Sequence, residues 1–191
     1  MRRIKILICA AALALTPGQL HAQTPRGAPG APDGFWASAG AGAGWSRVSC
    51  PVCRNERRLG ASGYARAGGT PRPGLLIGGE LNVWTREREA VRENAGALGV
   101  VAYLYPRLES PLHFKAGAAV TRYTAGDDVS LDALGVQLGL GYEFRVAGAW
   151  WITNYANLIA SSFGRLTLDG ETARDDASLT LFQLGVALTR R

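Results

Sequence analysis

Residues 134–146 read LGVQLGLGYEFRV, and every second position is apolar: Leu134, Val136, Leu138, Leu140, Tyr142, Phe144 and Val146. Between them stand Gly135, Gln137, Gly139, Gly141, Glu143 and Arg145, small or polar throughout. A period of two marks a strand whose two faces meet different surroundings. From Phe35 onward, strand-like texture recurs in eight segments, at roughly 35–48, 60–69, 75–86, 96–106, 112–125, 134–146, 150–163 and 179–191. The pattern predicts an all-β chain. It does not by itself say whether the apolar face turns inward, as in a soluble sheet, or outward into lipid.

Three observations favour lipid. An inward apolar face on 134–146 would leave water a surface of Gly, Gln, Gly, Gly, Glu and Arg, with three glycines that do little for a strand. In the lumen of a narrow barrel the same small residues fit. Leu75, Ile77, Leu81 and Val83 alternate likewise with Glu80 and Asn82, and Leu112, Phe114 and Val120 with His113, Lys115 and Thr121. The fourth segment is apolar on both faces, and the seventh carries Asn154 and Asn157 in opposite phases.

The segments are near or above the ~9–11 residues that a tilted strand needs to cross a bilayer. Their connections alternate in length: SCPVCRNERRL, EREAVREN, GDDVSLDA and GRLTLDGETARDDAS are long, whereas TPRPG, RLESP and AGA are short. Aromatic residues gather toward the segment ends. Trp36, Tyr103, Tyr105, Tyr142, Trp150 and Trp151 fall at one rim with Phe35, Phe114 and Phe144, and Trp45 and Trp84 at the other with Tyr123, Phe163 and Phe182. Two belts of interfacial aromatics separated by one membrane thickness are the expectation.

With the N-terminal export signal described below, these features resemble the small bacterial outer-membrane β-barrels of the OmpA/OmpX-like class, over residues 35–191. The resemblance implies an eight-stranded antiparallel up-and-down transmembrane β-barrel in the bacterial outer membrane. It further implies a monomer in contact with outer-membrane lipid and lipopolysaccharide, recognised by the outer-membrane assembly machinery during biogenesis. The final LFQLGVALTRR holds Phe182, Leu184, Val186 and Leu188 in register, where that class carries its assembly signal, but ends Thr189-Arg190-Arg191 instead of on an aromatic residue. No porin function transfers, because an eight-stranded barrel is normally filled by its own side chains.

The first 22 residues have the layout of a secretory signal peptide. Arg2, Arg3 and Lys5 precede the apolar run Ile6–Leu15, and Leu20-His21-Ala22 supplies the cleavage site. Residues 23–34 form a Pro/Gly-rich linker, leaving 35–191 as one barrel domain. Removing the signal takes the net charge from +6 to +3, and no basic cluster with interleaved aromatics suggests a nucleic-acid partner. Although 47% of the sequence is hydrophobic, no run after residue 22 is long enough for a transmembrane helix.

Candidate chemistry is sparse. Cys50 and Cys53 form a C-x-x-C in the first long connection, and no further Cys or His nearby completes a zinc set. A local disulfide formed on export is the expectation. No metal, cofactor or catalytic residue is expected. A lipid A-modifying barrel would want a His near Ser or a carboxylate at the outer end, whereas His113 starts its strand at the other end and is expected, with Arg145, on the lumen floor. Inside, Arg66 is expected to pair with Glu80 and Lys115 with Glu143, since buried charges must be paired. The sequence therefore reads as a non-enzymatic barrel with a polar, side-chain-filled lumen and outer loops for surface or partner contacts. The alternative is a soluble periplasmic barrel holding an apolar ligand, as lipocalin-like folds do.

Overall fold

The structure, a computed structural model, describes residues 34–191 except 52, 54, 55 and 90. The expected signal peptide, and all of the expected linker but Gly34, lie outside the described residues.

Eight strands follow in order: β1 (Phe35–Ser49), β2 (Arg58–Arg72), β3 (Leu75–Arg88), β4 (Val91–Leu104), β5 (Leu112–Ala125), β6 (Val129–Ala147), β7 (Trp150–Leu168) and β8 (Glu171–Arg190). Each pairs antiparallel with the next, and β8 pairs back onto β1 to close the ring. Paired residues can be followed round it from Ser38 through Arg66, Glu80, Gly99, Ala119, Gly135, Ser161 and Leu179. The path returns to β1 at Val48, ten residues above its start. That stagger tilts the strands by about 40° to the barrel axis.

Alternation now acquires a direction. Leu134, Val136, Leu138, Leu140, Tyr142 and Phe144 all point outward, Leu134 with 71% of its surface exposed, while Gln137 and Glu143 are buried within. Outward positions elsewhere repeat this: Leu81 and Val83 on β3, Leu98 and Val100 on β4, Leu184 and Val186 on β8. The run from Phe144 to Leu134 rises about 25 Å on a strand so tilted, the height of the apolar band of a membrane barrel. Just above the band, outward positions become Arg47, Thr85, Arg122, Asp132 and Thr180. A soluble barrel would need the opposite arrangement, with these side chains inside.

The glycines that interrupt 134–146 face the lumen and make room there. A Cβ on Gly141 would lie 2.4 Å from the His113 imidazole, and one on Gly139 would lie 2.7 Å from Asn157 Oδ1. Both glycines are placed where side chains of neighbouring strands lean across.

Two expectations are corrected. Of the four connections expected to be long, only the one between Ser49 and Arg58 exceeds three residues; β3–β4, β5–β6 and β7–β8 are joined by two, three and two residues. The polar segments between them continue the strands beyond the apolar band, where exposed cross-strand partners such as Glu87 and Arg92, or Arg122 and Asp132, support the ladder in water. Strand ends read from apolar alternation therefore stop too early. Gly170, at φ 83, takes the left-handed position that lets the β7–β8 hairpin turn in two residues.

The second correction concerns the belts. Trp45, Tyr142 and Trp150 face outward, but Trp36, Trp84, Tyr103, Tyr105 and Trp151 are buried inside the ring. Height along a strand locates a rim but not a face. In the neighbouring pairs Phe35-Trp36 and Trp150-Trp151 one ring must turn inward.

Candidate functional site

The lumen is the site, and it is divided by height. Its upper part is apolar: Trp84, Leu131, Ile159, Leu179 and Leu181 pack with small alanines under Cys50 and Cys53. The two cysteines are disulfide-bonded, with Cα atoms 4.9 Å apart. Beside this cluster, Arg58 donates to Glu93 at 2.8 Å, and Tyr123 donates to the same Glu93 oxygen at 2.9 Å.

Lower down, two carboxylates organise a polar network. Glu80, on β3, is 1% exposed and takes three donors. Lys115 Nζ reaches its Oε1 at 2.6 Å, Asn82 Nδ2 shares that oxygen at 2.8 Å, and the Tyr103 hydroxyl donates to Oε2. Asn82 also donates to Gln137 Oε1 at 2.9 Å, carrying the network from β3 to β6. Arg66 and Glu80 are register partners, but the Arg66 guanidinium lies against rings rather than in the carboxylate's contact shell. It stands 4.4 Å from the Tyr103 centroid, 4.8 Å from that of Tyr64 and 5.9 Å from that of Trp36. A planar, weakly hydrated cation suits such an aromatic box.

Glu143, on β6, is the second centre and is equally buried. Its Oε2 accepts from Arg191 Nη2 at 2.5 Å and from Tyr105 OH at 2.9 Å, while Thr153 donates to Oε1 at 3.2 Å and His113 Nδ1 stands 3.5 Å away. Hydroxyls then link this centre to the aromatic box: Thr153 to Thr189, Thr189 to Ser38, and Ser38 to Tyr64. The Arg191 guanidinium also lies 5.2 Å from the Tyr105 ring and 5.6 Å from Trp151, closing the lower mouth.

The expected Lys115–Glu143 pair does not form. Lys115 is in register with Gly139, four residues from Glu143, and its side chain crosses the narrow lumen to β3 instead. Arg145 is not on the lumen floor either; it is exposed and its Nε donates to Gly148 O at 2.8 Å in the β6–β7 turn. His113 is buried, 1% exposed, between Tyr103, Tyr105 and Glu143. The sequence places Asn82 and Gln137 on the inward face, as found, whereas Arg58, Glu93 and Arg191 were missed as lumen groups and Tyr103 and Tyr105 were placed in a belt. Parity was the available signal for the tyrosines, since both share a face with Ala95, Ala97 and Val101, all buried. Among the described residues, no group of three or more His, Cys, Asp or Glu side chains is placed to hold a metal ion.

The same closed ring recurs among solved proteins. Neisserial surface protein A superposes with a TM-score of 0.60, covering 86% of this chain and 98% of its own at 14% sequence identity. Ail, the attachment invasion locus protein of Yersinia pestis, superposes with a TM-score of 0.50, covering 81% of this chain and 97% of its own at 10% identity. No protein-family model matches the sequence, and no curated protein matches it. Fold and register thus define a closed eight-stranded antiparallel up-and-down barrel, the fold these two proteins share.

Proposed function

We propose that the chain is an integral protein of the bacterial outer membrane, non-enzymatic, with a lumen closed by its own side chains and an outer end that meets surfaces or partner proteins. The outward apolar band carries this reading: Leu, Val and Phe side chains ring the barrel while Glu80, Glu143 and Lys115 are inside. A bilayer is the solvent that such a surface fits.

Charge at the upper end supports the partner role. On the β5–β8 side, Asp127, Asp128, Asp132, Asp169, Glu171, Asp175 and Asp176 outnumber Arg122, Arg165 and Arg174. On the β1–β4 side, Arg47, Arg57, Arg58, Arg86, Arg88 and Arg92 outnumber Glu56, Glu87, Glu89 and Glu93. A dipolar rim of this kind orients an approaching charged partner. The deciding experiment is carbonate washing of membranes, with gel migration before and after boiling. Retention in the membrane and heat-modifiable migration are expected; release into the soluble fraction overturns the proposal.

A further inference from the structure

The outer wall of the ring is not uniform. On β1 and β2, the outward pairs from Ala37–Ala67 at the bottom to Ala43–Ala61 near the top are alanine or glycine throughout. Each strand from β3 to β8 instead carries outward leucine, valine or phenylalanine. Small residues are poor strand formers, so the smooth wall costs the sheet stability. It also lies a side-chain layer deeper than its surroundings and lets another backbone come close, as small residues do between membrane helices. A depression of about 540 Å³ continues its upper edge, from Ala61 and Gly63 past Thr85 on β3 to Gly96 on β4 and Arg122 on β5.

Phe163 is the converse feature, on β7, four strands from β3 and so across the ring from it. Between Ser161 and Gly164, β7 carries one residue more than β8, and between Ser162 and Arg165 one more than β6. The bulge turns Ser162 and Phe163 outward together and holds Phe163 at φ 56 with 92% of its surface exposed. The left-handed region strains a bulky residue and suits glycine. A ring serving only as a membrane-belt aromatic would sit without that strain at Ser162, which is outside the left-handed region. Rows of partnered residues climb by about 3 Å per strand from β1 to β8, which brings Phe163 to within about 4 Å of the height of Thr85 and Arg122.

The rims decide what covers the smooth wall. The acidic β5–β8 rim stands above Phe163, and the arginine-rich β1–β4 rim stands above the alanines. A second copy, inserted the same way up, offers the complement of both features at matching height. Two-fold pairing of one smooth wall with another would instead bring Arg47 and Arg57 against their own counterparts, and like charges across a contact oppose it.

The geometry points to a head-to-tail contact between copies of this chain within the membrane. The β6–β7 wall of one copy, led by Phe163, docks on the β1–β3 wall of the next, with acidic rim against basic rim. The two walls lie on opposite sides of the ring, so the contact does not close on itself and adds copies in a row. The inference departs from the monomer that the class resemblance implies, and it rests on the outer-membrane reading above.

The test is cross-linking of the full chain in intact membranes with a short bis-maleimide, the Cys50–Cys53 bond being left unreduced. The double variant S162C/T85C should give a ladder of dimers and larger species. The parent chain, S162C alone and T85C alone should stay monomeric. Phe163→Gly in the double variant should lower the ladder by about fivefold or more, the effect of a lost aromatic contact, while heat-modifiable migration is unchanged. Dimers from either single variant show a two-fold contact and overturn the inference. A ladder that is absent, or equal with and without the Phe163 ring, overturns it as well. Carbonate washing reports separately on membrane residence, so a retained barrel without a ladder rejects this inference alone.

Discussion

Lys115 on β5 meets Glu80 on β3 at 2.6 Å, across a lumen in which both side chains are almost wholly buried. The contact skips the strand between them and belongs to the ring rather than to any one hairpin. Removing one partner leaves a buried, uncompensated charge, worth about 3–5 kcal/mol. Lys115→Met and Glu80→Gln should each lower barrel stability by a sizeable part of that, and the double variant by less than their sum. Urea unfolding in lipid vesicles measures the cycle, and additive losses would reject the coupling.

Arg66 tests the aromatic box. Lysine keeps the charge but loses the planar face that lies over Tyr103 and Tyr64. Arg66→Lys should cost about 1–2 kcal/mol, in the range of a desolvated cation–π contact. The same unfolding assay reads it, and a neutral outcome would reduce the box to simple packing.

The lower mouth is filled by Arg191, Tyr105 and Glu143, and the upper lumen by apolar side chains. Wild-type protein in planar bilayers should therefore show no steady single-channel conductance. A stable ohmic step in the wild type would contradict a filled lumen.

Cys50 and Cys53 should both resist thiol labelling on intact cells until reductant is added. Their ring is small, so little chain entropy is at stake. The C50S/C53S variant should keep heat-modifiable migration, with changes confined to the β1–β2 connection and the apolar cluster beneath Cys50. Labelling of both thiols without reductant would argue against the bond in the exported protein.

Gly141 should tolerate no side chain. A Cβ there would stand 2.4 Å from the His113 ring, which is itself enclosed by Tyr103, Tyr105 and Glu143. Gly141→Ala is expected to destabilise by about 1–3 kcal/mol through overpacking. Gly139→Ala, whose nearest obstacle is the amide end of Asn157, should cost less. Equal stability of the two variants would show that the floor gives way more easily than its contacts indicate.

Barrel architecture was legible because Leu134 to Val146 keep strict alternation and because apolar side chains on one face only suit lipid if the other face is glycine and charge. Lumen pairing was less legible. Register between β2 and β3 could be counted through the short TPRPG turn, whereas the path from Lys115 to Glu80 depends on the ring's closure, which no local motif encodes. The polar strand extensions were hidden for a related reason. Above the lipid the outward face meets water while the lumen turns apolar, so the alternation inverts: Asp132 and Arg165 face out beside the buried Leu131 and Leu166. Trp36 and Trp151 were misplaced because an aromatic pair at a rim contributes one ring to each face.

The hydroxyl and carboxylate chain through the floor also sets an order of events. Glu143 on β6 receives Arg191 from just beyond β8, and Thr153 on β7 connects through Thr189 on β8 to Ser38 on β1. While the sheet is still open and uncurled, Thr153 already stands beside Glu143 in register, but Tyr105 and Arg191 come from two strands away on either side and the carboxylate keeps its water. The seam between β1 and β8 is thus the step at which hydration leaves the lower lumen. A chain halted before that step carries a wet interior into the bilayer, and the arrival of its last strand both shuts the ring and dries it.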